Sequence, residues 1–296
     1  MSGPKYSICM ANLNMAEFVE ASLLSIYNQL DQEFEIVVVD GGSSDGSVEI
    51  LERLEVNLEK FRLIKLPRDL GRKIGTDRNI SIQHARGKYV MLHLDCDDLY
   101  LPVIKDWVKI FLCLEKQYGS SILVAGDQIN MGRRDFLLSH GPYKNLQLED
   151  REMWTRLEKK GQLIRFKHGQ VRTRMKIKQP KKMIKAVKRT YIQTLEDLQQ
   201  PQTVFIKYIF KQIGGINLLK FRYSLFRVLM TLVVLPNYLI RGKVVMADSD
   251  ANTSNTQPRD TSGRTANELL SLTDKEVHEL SITREGMRVF GLSSGQ

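Results

Sequence analysis

The sequence predicts an α/β protein in which helices flank a mostly parallel β-sheet. Over roughly the first 170 residues, short apolar segments alternate with segments of helical apolar spacing, as expected of strands joined by crossover helices. The run FEIVVVD at residues 34–40 is apolar almost throughout, which is typical of a strand covered on both faces. A chain of 296 residues, 42% hydrophobic and 26% charged, accommodates one large or two small domains and is not wholly disordered.

The elements follow one another along this alternation. The predicted strands are residues 5–11, 34–40, 61–66, 88–94 and 121–126, with a further candidate at 162–166. The helices predicted around them are 15–30, 47–58, about 73–86, 102–118 and 149–160. Gly, Ser and Asp residues at 41–46 predict a turn directly after the second strand.

The pattern changes after about residue 180, where only helices are predicted, at 203–213 and 218–240. Residues 247–267 are poor in apolar residues and rich in Ser, Thr, Asn and Asp, which indicates a linker. Thr273 and Glu276 have the spacing of a capping box at the start of a short helix. We therefore divide the chain into an α/β domain, a basic and apolar helical region that is membrane-associated, and a linker with a short C-terminal tail. Their bounds are 1–170, 171–246 and 247–296.

Three cysteines, Cys9, Cys96 and Cys113, are too few and too scattered for a disulfide framework or a zinc cluster. The N-terminal residues MSGPKYSICM do not have the basic and then apolar pattern of a secretory signal. We expect a reducing, cytoplasmic setting, with the chain peripheral on the cytoplasmic face of a membrane.

The positive charge of the chain is concentrated in one stretch. Residues 165–189 hold eleven Lys and Arg and no Asp or Glu, and the rest of the chain carries a formal net charge of −1 against +10 for the whole. Such a stretch favours a polyanionic neighbour, namely nucleic acid, anionic lipid headgroups or a phosphorylated substrate. Because it has almost no interleaved aromatic residues and matches no recognition motif, we expect no specific nucleic-acid binding.

Residues 225–240 form an apolar run of sixteen that Arg227, Pro236 and Asn237 interrupt. At ~1.5 Å per residue it reaches about 24 Å, short of the ~30 Å hydrocarbon core of a membrane. Together with the basic stretch 165–189, the region 218–243 resembles an interfacial helix on an anionic membrane surface. A buried helix and a membrane span remain the alternatives.

Acidic residues follow the predicted strands where ligands bind in open parallel sheets, beyond the carboxyl ends. Asp40 ends the second strand and can accept hydrogen bonds from a base or sugar. The sequence Asp95-Cys96-Asp97-Asp98 ends the fourth strand, and three carboxylates there need a cation or donors. Because side chains of an extended chain alternate, we expect Asp95 and Asp97 on one side. Asp150 opens a helix, whose positive end stabilises a carboxylate that accepts a proton.

Residues 5–168 resemble a family 2 glycosyltransferase with the GT-A fold. The resemblance lies in the stretches YSICMANLN, SIYNQ, EIVVVDGGSSDGS, GRKIGTDRNISIQHARGKYVMLHLDCDD and LEDREMWTRL. It implies an inverting transfer of a sugar from a nucleotide-diphosphate donor, most commonly a UDP-sugar. The acceptor would be a hydroxyl of a sugar, a glycan or a lipid-linked acceptor, in the synthesis of cell-surface polysaccharide, glycan or glycolipid.

The same resemblance implies roles for individual residues around the donor nucleotide. Asp40 would contact the nucleobase, and the backbone near Ala11 and Asn14 would line the same pocket. Arg78, in the sequence Asp-Arg-Asn, would help to hold the nucleotide. The sequence departs from the family pattern at Asp77, where relatives have a small residue.

Metal and catalytic roles are also implied by the resemblance. Asp95 and Asp97 match the D-x-D motif, which places Asp95 near the ribose and the metal and Asp97 on the metal, a divalent Mn²⁺ or Mg²⁺. Asp150 would be the general base that deprotonates the acceptor hydroxyl. The residues that would lie on the acceptor side are Glu149, Trp154 and Arg156, with packing in the core as the alternative for Trp154.

Other classes of protein stay open at this point. The sequence has neither a P-loop nor a G-x-G-x-x-G motif, which disfavours P-loop and nicotinamide enzymes. A catalytically inactive GT-A scaffold, a nucleic-acid or other polyanion-binding protein, and a nucleotidyltransferase are the alternatives. His168 is either a solvated residue beside the basic stretch or a ligand contact.

Overall fold

The chain divides into two compact units. In the computed structural model the described residues are 3–175, 183–199, 205–214, 221–241, 261 and 263–292. The first unit comprises residues 1–145, 153–177 and 254–296, and the second comprises 146–152 and 178–253. Each unit has a hydrophobic cluster of its own.

The first unit is built on a seven-stranded sheet and a separate two-stranded sheet. The strands along the chain are β1 (Tyr6–Asn12), β2 (Phe34–Asp40), β3 (Phe61–Lys65), β4 (Tyr89–Leu92), β5 (Asp98–Tyr100), β6 (Leu123–Ala125), β7 (Asn130–Arg133), β8 (Leu163–Arg165) and β9 (Arg172–Arg174). The order in the large sheet is β3-β2-β1-β4-β7-β6-β8. Strands β3, β2, β1 and β4 are parallel, β7 is antiparallel to both neighbours, and β8 is parallel to β6. The small sheet pairs β5 with β9 in antiparallel register.

Helices cover both faces of the large sheet. They are α1 (Val19–Tyr27), α2 (Ser47–Asn57), α3 (Ile74–His84), α4 (Ile104–Tyr118), α5 (Arg134–Ser139) and α6 (Glu149–Lys159), of which α6 begins in the second unit and ends in the first. All seven residues of β2 are buried, and its alternate side chains join different clusters, Val38 that of Trp107 and Val37 that of Leu137. The predicted mostly parallel sheet with helices on both faces is confirmed, and this double burial explains the apolar run at 34–40.

Three short helices follow Thr261 in the first unit, α10 (Ala266–Leu270), α11 (Asp274–Glu279) and α12 (Arg284–Phe290). The capping box of Thr273 and Glu276 is present at the start of α11. Leu269, Val277 and Phe290 are buried in the same cluster as Trp107. The proposed three-part division of the chain stays a prediction. The described residues 263–292 are not an isolated tail, because they contribute side chains to the hydrophobic core of the first unit. Residues 247–260, most of the predicted linker, lie outside the described residues.

Beyond residue 182, the described part of the second unit is helical, with α7 (Met183–Gln199), α8 (Phe205–Gly214) and α9 (Phe221–Arg241). The sequence predicted the latter two helices at 203–213 and 218–240. Leu195 and Leu198 of α7 pack with Val234 of α9. Among the described residues, none of the helices combines the length and apolarity that crossing a membrane requires.

The sequence missed β5, β7, β9 and α5, which have three to six residues each and are too short to show a period. It also missed α7, which has 17 residues, and the short helices α10 and α12. The predicted strand 88–94 ends early, at Leu92, because His93 has a left-handed φ of 68°. Asp95 and Asp97 therefore lie in a loop, and strand alternation does not set the directions of their side chains. This corrects the reasoning that placed them on one side of an extended chain.

Candidate functional site

Three carboxylates meet just beyond the carboxyl end of β4. Oxygens of Asp95, Asp97 and Asp98 lie within 4.8 Å of one another. The loop is fixed from α1 and β5, since the Ser22 hydroxyl donates to the Asp95 carbonyl (3.1 Å) and the Asp95 N–H donates to the Tyr100 hydroxyl (2.5 Å). Carboxylate oxygens alone form the donor set that hard divalent cations such as Mg²⁺ and Mn²⁺ accept, so the residues present fit a cation here.

Two arginines of β9 neutralise this cluster. The antiparallel register puts Arg174 opposite Asp98 and Arg172 opposite Tyr100, so both guanidinium groups reach the carboxylates. Arg172 lies 3.0 Å from Asp98 and 3.1 Å from Asp95. Arg174 lies 3.0 Å from both of these and 3.6 Å from Asp97.

Burial and charge shift the pKa values within the cluster. Burial raises the pKa of Asp97, and the charge of Arg174 works against this, while Asp98 and Asp95 add to it. Burial lowers the pKa of Arg174, but a hydrogen bond and the charge of Asp98 outweigh this and raise it overall. The Asp98 side chain is only 1% exposed and forms ion pairs with both Arg172 and Arg174.

A cavity of about 300 Å³ opens beside the cluster, and we call it the first cavity. Its lining residues come from the ends of β1, β2 and β4, from the approach to α3, from α3 and from β9. They are Ala11, Asn12, Leu13, Met15, Gly41, Arg68, Asp69, Arg72, Ile74, Asp77, Asp95, Cys96, Asp97 and Arg174. The structure thus brings three predicted site residues, Ala11, Asp95 and Asp97, into one cavity at the carboxyl end of the parallel strands.

Asp40 and Asn14 lie behind this lining and hold the turn that follows β2. The Asp40 carboxylate is 1% exposed and accepts four hydrogen bonds, two from backbone N–H groups, of Gly42 (2.9 Å) and Ser43 (2.8 Å), and two from the side chains of Asn12 (2.7 Å) and Ser43 (2.6 Å). Gly42 has a φ of 90°, and a Cβ there would lie 2.5 Å from the Arg68 nitrogen, so the turn requires glycine. The side-chain oxygen of Asn14 accepts a hydrogen bond from the Ser44 N–H (2.9 Å).

Asp77, on α3, is the carboxylate that enters the cavity from this side. Its Oδ1 lies 2.7 Å from Arg72 Nε, and Arg72 also donates to the backbone oxygens of Gly41 (3.0 Å) and Pro67 (2.9 Å). The contact with Arg72 is an ion pair without hydrogen-bond geometry, so the buried Oδ1 has no hydrogen-bond donor among the described residues, and none of them donates to Oδ2. A Cβ at Gly41 would lie 3.0 Å from this oxygen, so glycine leaves room for it. Burial raises the pKa of Asp77, against the charge of Arg72.

Arg78 reaches the acidic cluster from the same helix. Its Nη2 lies 3.8 Å from Asp95 Oδ1, and its guanidinium group lies over the ring of Tyr143 at 5.5 Å. Arg78 is 8% exposed. The predicted nucleotide residue is therefore a buried positive charge beside the carboxylates.

Trp154 and Arg156, on α6, do not line the first cavity. Trp154 stacks on His93, with ring centroids 5.5 Å apart, and lines a separate cavity. Arg156 donates to the backbone oxygens of His140 and Pro142, which orders that loop. His168 is a buried residue packed edge-on against Trp107 and Phe290, and neither of the two expectations for it described this.

Glu149 and Asp150 lie in the first turn of α6, within the part of this helix that belongs to the second unit. The backbone before them is held by Glu196 of α7, whose carboxylate accepts from the N–H groups of Gln147 (3.0 Å) and Leu148 (3.2 Å). Glu149 is 5% exposed, and Asp150 is half-buried. The catalytic and acceptor-side roles of these two residues stay predictions.

Sequence reasoning missed Arg72, Arg172 and Arg174, and it left Asp77 without an interpretation. The signal for Asp77 was its departure from the family pattern beside Arg78. The signal for the two arginines of β9 was the basic stretch 165–189, of which residues 176–182 lie outside the described residues. Part of that stretch has an acidic partner inside the same unit and is not free for an external polyanion.

Solved structures that resemble the chain include two with sugar nucleotides. One is a mannosyltransferase from Pyrobaculum calidifontis in complex with GDP-Man and Mn²⁺, with a TM-score of 0.49 and 15% identity over 81% of this chain and 76% of that chain. Another is S. aureus TarS in complex with UDP-GlcNAc, with a TM-score of 0.48 and 15% identity over 80% of this chain and 73% of that chain.

Curated relatives match shorter parts of the chain. An uncharacterized glycosyltransferase of Methanocaldococcus jannaschii is 36% identical over 34% of this chain and 35% of the relative. A putative teichuronic acid biosynthesis glycosyltransferase of Bacillus subtilis is 30% identical over 32% of this chain and 36% of the relative. A PGL/p-HBAD biosynthesis glycosyltransferase of Mycobacterium bovis is 33% identical over 44% of this chain and 48% of the relative. The chain thus spans about a third to a half of the length of these relatives.

A family profile gives the broadest match. Residues 7–168, more than half of the chain, match glycosyl transferase family 2. This range contains the seven-stranded sheet except Tyr6, the acidic cluster and helix α6. The predicted resemblance and the GT-A fold are confirmed, and the chain belongs to glycosyl transferase family 2.

Proposed function

We propose that the chain is a glycosyltransferase that binds a nucleotide-diphosphate sugar in the first cavity and transfers the sugar to an acceptor hydroxyl. The observation that carries the proposal is the set of carboxylates Asp95, Asp97 and Asp98 at the carboxyl end of β4, beside an open cavity of about 300 Å³. Relatives named for teichuronic acid and PGL/p-HBAD biosynthesis support a role in polysaccharide or glycolipid synthesis.

The charged residues fit a metal ion and a diphosphate together. Asp97 and Asp95, with Asp98 beneath them, would hold Mn²⁺ or Mg²⁺, which when bound supplies positive charge against the leaving diphosphate. Arg174 is the most exposed of the arginines at the cluster, with 42% of its side chain exposed against 16% for Arg172 and 9% for Arg78. Arg174 is therefore the group that can turn from the carboxylates toward phosphate oxygens.

The base of the nucleotide would lie toward Asp77. The Asp40 carboxylate already accepts four hydrogen bonds within the protein, whereas Asp77 presents an oxygen without a donor among the described residues. A ring N–H, as in uracil or guanine, is a donor that this oxygen can accept. Asp40 then orders the turn that Gly41 and Gly42 form, and Asp77 accepts from the base.

The acceptor hydroxyl needs a base that removes its proton as the oxygen attacks the anomeric carbon from the face opposite the diphosphate. Asp150 supplies this base, as the family resemblance implies, and its place in the first turn of α6 favours a carboxylate there. One base suffices because an inverting transfer forms no covalent intermediate with the protein. The Asp150→Asn variant should lower kcat by about 10²–10⁴-fold with nucleotide binding unchanged, and substantial transfer by this variant would remove the assignment.

A nucleotide panel tests the donor site. Thermal unfolding would be followed with UDP, GDP, dTDP and CDP, each with Mn²⁺ or with EDTA. A ligand that binds only the folded protein raises the midpoint, and we expect one nucleotide to do so with Mn²⁺ and not with EDTA. No shift with any nucleotide in folded protein would contradict the donor site and favour an inactive scaffold or a polyanion-binding protein.

An anionic membrane surface is the partner proposed for the second unit. The exposed face of α9 carries Leu225, Leu229, Leu232, Val233, Leu239 and Ile240, and this helix contains no acidic residue. A helix with one apolar stripe and flanking arginines binds at a membrane interface. A lipid-linked acceptor would be reached from such a surface.

Sedimentation with lipid vesicles tests this partner. We expect the protein to sediment with vesicles that contain anionic lipid and less with neutral ones. The Leu229→Glu, Val233→Glu double variant should stay in solution, while Val56→Glu, which changes an 86% exposed residue of α2, should behave as wild type. Equal sedimentation of all three proteins would contradict the assignment to α9.

A further inference from the structure

A second cavity of about 260 Å³ lies in the first unit, apart from the acidic cluster. It opens at the carboxyl ends of β6 and β8, which are parallel and pair Ala125 with Arg165. The residues that carry its chemistry are Trp154, Arg165, Lys167 and Asp127. Its lining and that of the first cavity have no residue in common.

Two buried hydrogen-bond donors of this cavity lack acceptors. They are the indole Nε1 of Trp154 and the guanidinium Nε of Arg165, and neither finds a partner among the residues that the structure describes. Buried donors are nearly always satisfied in folded proteins. Two unsatisfied donors on one cavity therefore indicate a ligand that offers acceptor atoms.

The charge of the second cavity is also uncompensated. The Arg165 guanidinium group lies 5.2 Å from the centre of the Trp154 ring and makes no ion pair within the described part of the chain. Lys167 adds a second positive charge at the exposed rim, against one carboxylate, Asp127, which is itself exposed. A half-buried guanidinium group without a counter-ion is costly, and an anion in the cavity would relieve that cost.

The framework around Arg165 is rigid. Its backbone N–H donates to the Thr261 hydroxyl (2.8 Å), and the next residue, Phe166, donates to the Ala125 carbonyl (3.2 Å). Trp154 is held by its stacking on His93. The backbone that carries Arg165 and the ring of Trp154 are therefore held in place beside the cavity before a ligand arrives, which lowers the cost of binding.

We infer that the second cavity binds the acidic group, a phosphate or a carboxylate, of an acidic sugar acceptor. Arg165 and Lys167 pair with the anion, and the Trp154 N–H donates to an oxygen of the same molecule. The identification of the bound molecule as the acceptor rests on the glycosyl transfer proposed above. The anion site itself rests only on the features of the second cavity. The proposal selects acidic substrates, such as sugar phosphates or uronic acids, over neutral sugars.

Intrinsic fluorescence tests this site without any catalytic turnover. The chain has two tryptophans, and Trp107 is fully buried, so a ligand in the second cavity changes mainly the emission of Trp154. The probes are glucose 6-phosphate, glucuronate and glucose, which share a hexose and differ in charge. We expect a saturable change with at least one charged hexose and none with glucose, and the charged hexose that binds identifies phosphate or carboxylate as the group selected.

Variants assign the response to the cavity. Arg165→Gln should weaken binding about tenfold or more, and Lys167→Gln, at an exposed position that leaves folding intact, should weaken it by a smaller factor. Arg86→Gln, which removes an exposed charge before β4, is the matched control and should bind as wild type. Trp154→Phe should lose the fluorescence change.

Three results would overturn the inference: no saturable response to either charged hexose, an equal response to glucose, or unchanged binding by both Arg165→Gln and Lys167→Gln. The donor site is tested separately with Asp97→Ala, which should lose Mn²⁺-dependent nucleotide binding and keep the response to the charged hexose. A protein that binds the charged hexose and no nucleotide would contradict the glycosyl transfer alone. A protein that binds nucleotide and no charged hexose would contradict the second site alone.

Discussion

The first and second cavities belong to the same unit, but their charges are balanced in opposite ways. Beside the first cavity, Arg172 and Arg174 lie 3.0 Å from Asp98, so opposite charges meet within the protein. In the second cavity, Arg165 has an aromatic ring beneath it and no carboxylate partner among the described residues. The first arrangement suits a ligand that brings a cation and an anion together, and the second suits an anion alone.

The largest effect should separate the two arginines by their contribution to stability. Arg172→Ala leaves the buried Asp98 carboxylate with one partner fewer, and we expect it to lower the free energy of unfolding by about 3 kcal/mol. Arg165→Ala removes a charge without a counter-ion and loses only the interaction with Trp154, about 0.5–1 kcal/mol. Urea denaturation of the two variants in the absence of ligands measures both values.

Comparable losses for the two variants would contradict this difference. They would show that Arg165 has a counter-charge in solution, so the second cavity would not need an anion. An Asp98→Asn, Arg172→Met double variant is the control, because removal of both partners should restore much of the stability that Arg172→Ala loses.

The acidic cluster provides the next largest effect. Asp97→Ala removes a proposed metal ligand, and we expect Mn²⁺-dependent nucleotide binding to weaken about 100-fold or more. Titration calorimetry with and without Mn²⁺ measures it. Unchanged binding would show that the cluster serves the structure through its arginines and does not hold a cation.

Much of the fold and the position of the acidic cluster could be predicted because their signals are local. The strands β1 and β2 are mostly apolar runs, and Asp95, Asp97 and Asp98 are neighbours in sequence. Position at the end of a strand then places them at the edge where ligands bind. The family match covers the same residues.

The partners of these residues could not be predicted in the same way, since they come from distant parts of the chain. Arg172 and Arg174 reach Asp98 through the pairing of β5 with β9, two strands of three residues each that carry no periodic signal. The saturation of Asp40 was also hidden, because it depends on how the turn after β2 folds back on the carboxylate. Sequence located the charges, and tertiary contacts decided which of them stay available for a ligand.

The smallest expected effect concerns two carboxylates near the first cavity. Asp77→Asn replaces a charged acceptor with a neutral one, and we expect a nucleotide with a ring N–H to bind about tenfold more weakly. The loss of the ion pair with Arg72 (2.7 Å) should lower the stability as well, but less than Asp40→Asn does, because the Asn oxygen can still contact Arg72. Asp40→Asn should lower the stability and leave nucleotide affinity close to that of the wild type. Its amide group would face the donors of Gly42 and Ser43 and destabilise the turn. Thermal unfolding and nucleotide titration of both variants measure the two effects. An Asp40→Asn variant with wild-type stability and weaker nucleotide binding would contradict this assignment and show that Asp40 binds the base. If Asp40 only orders the turn through its four hydrogen bonds, its replacement must lower the stability.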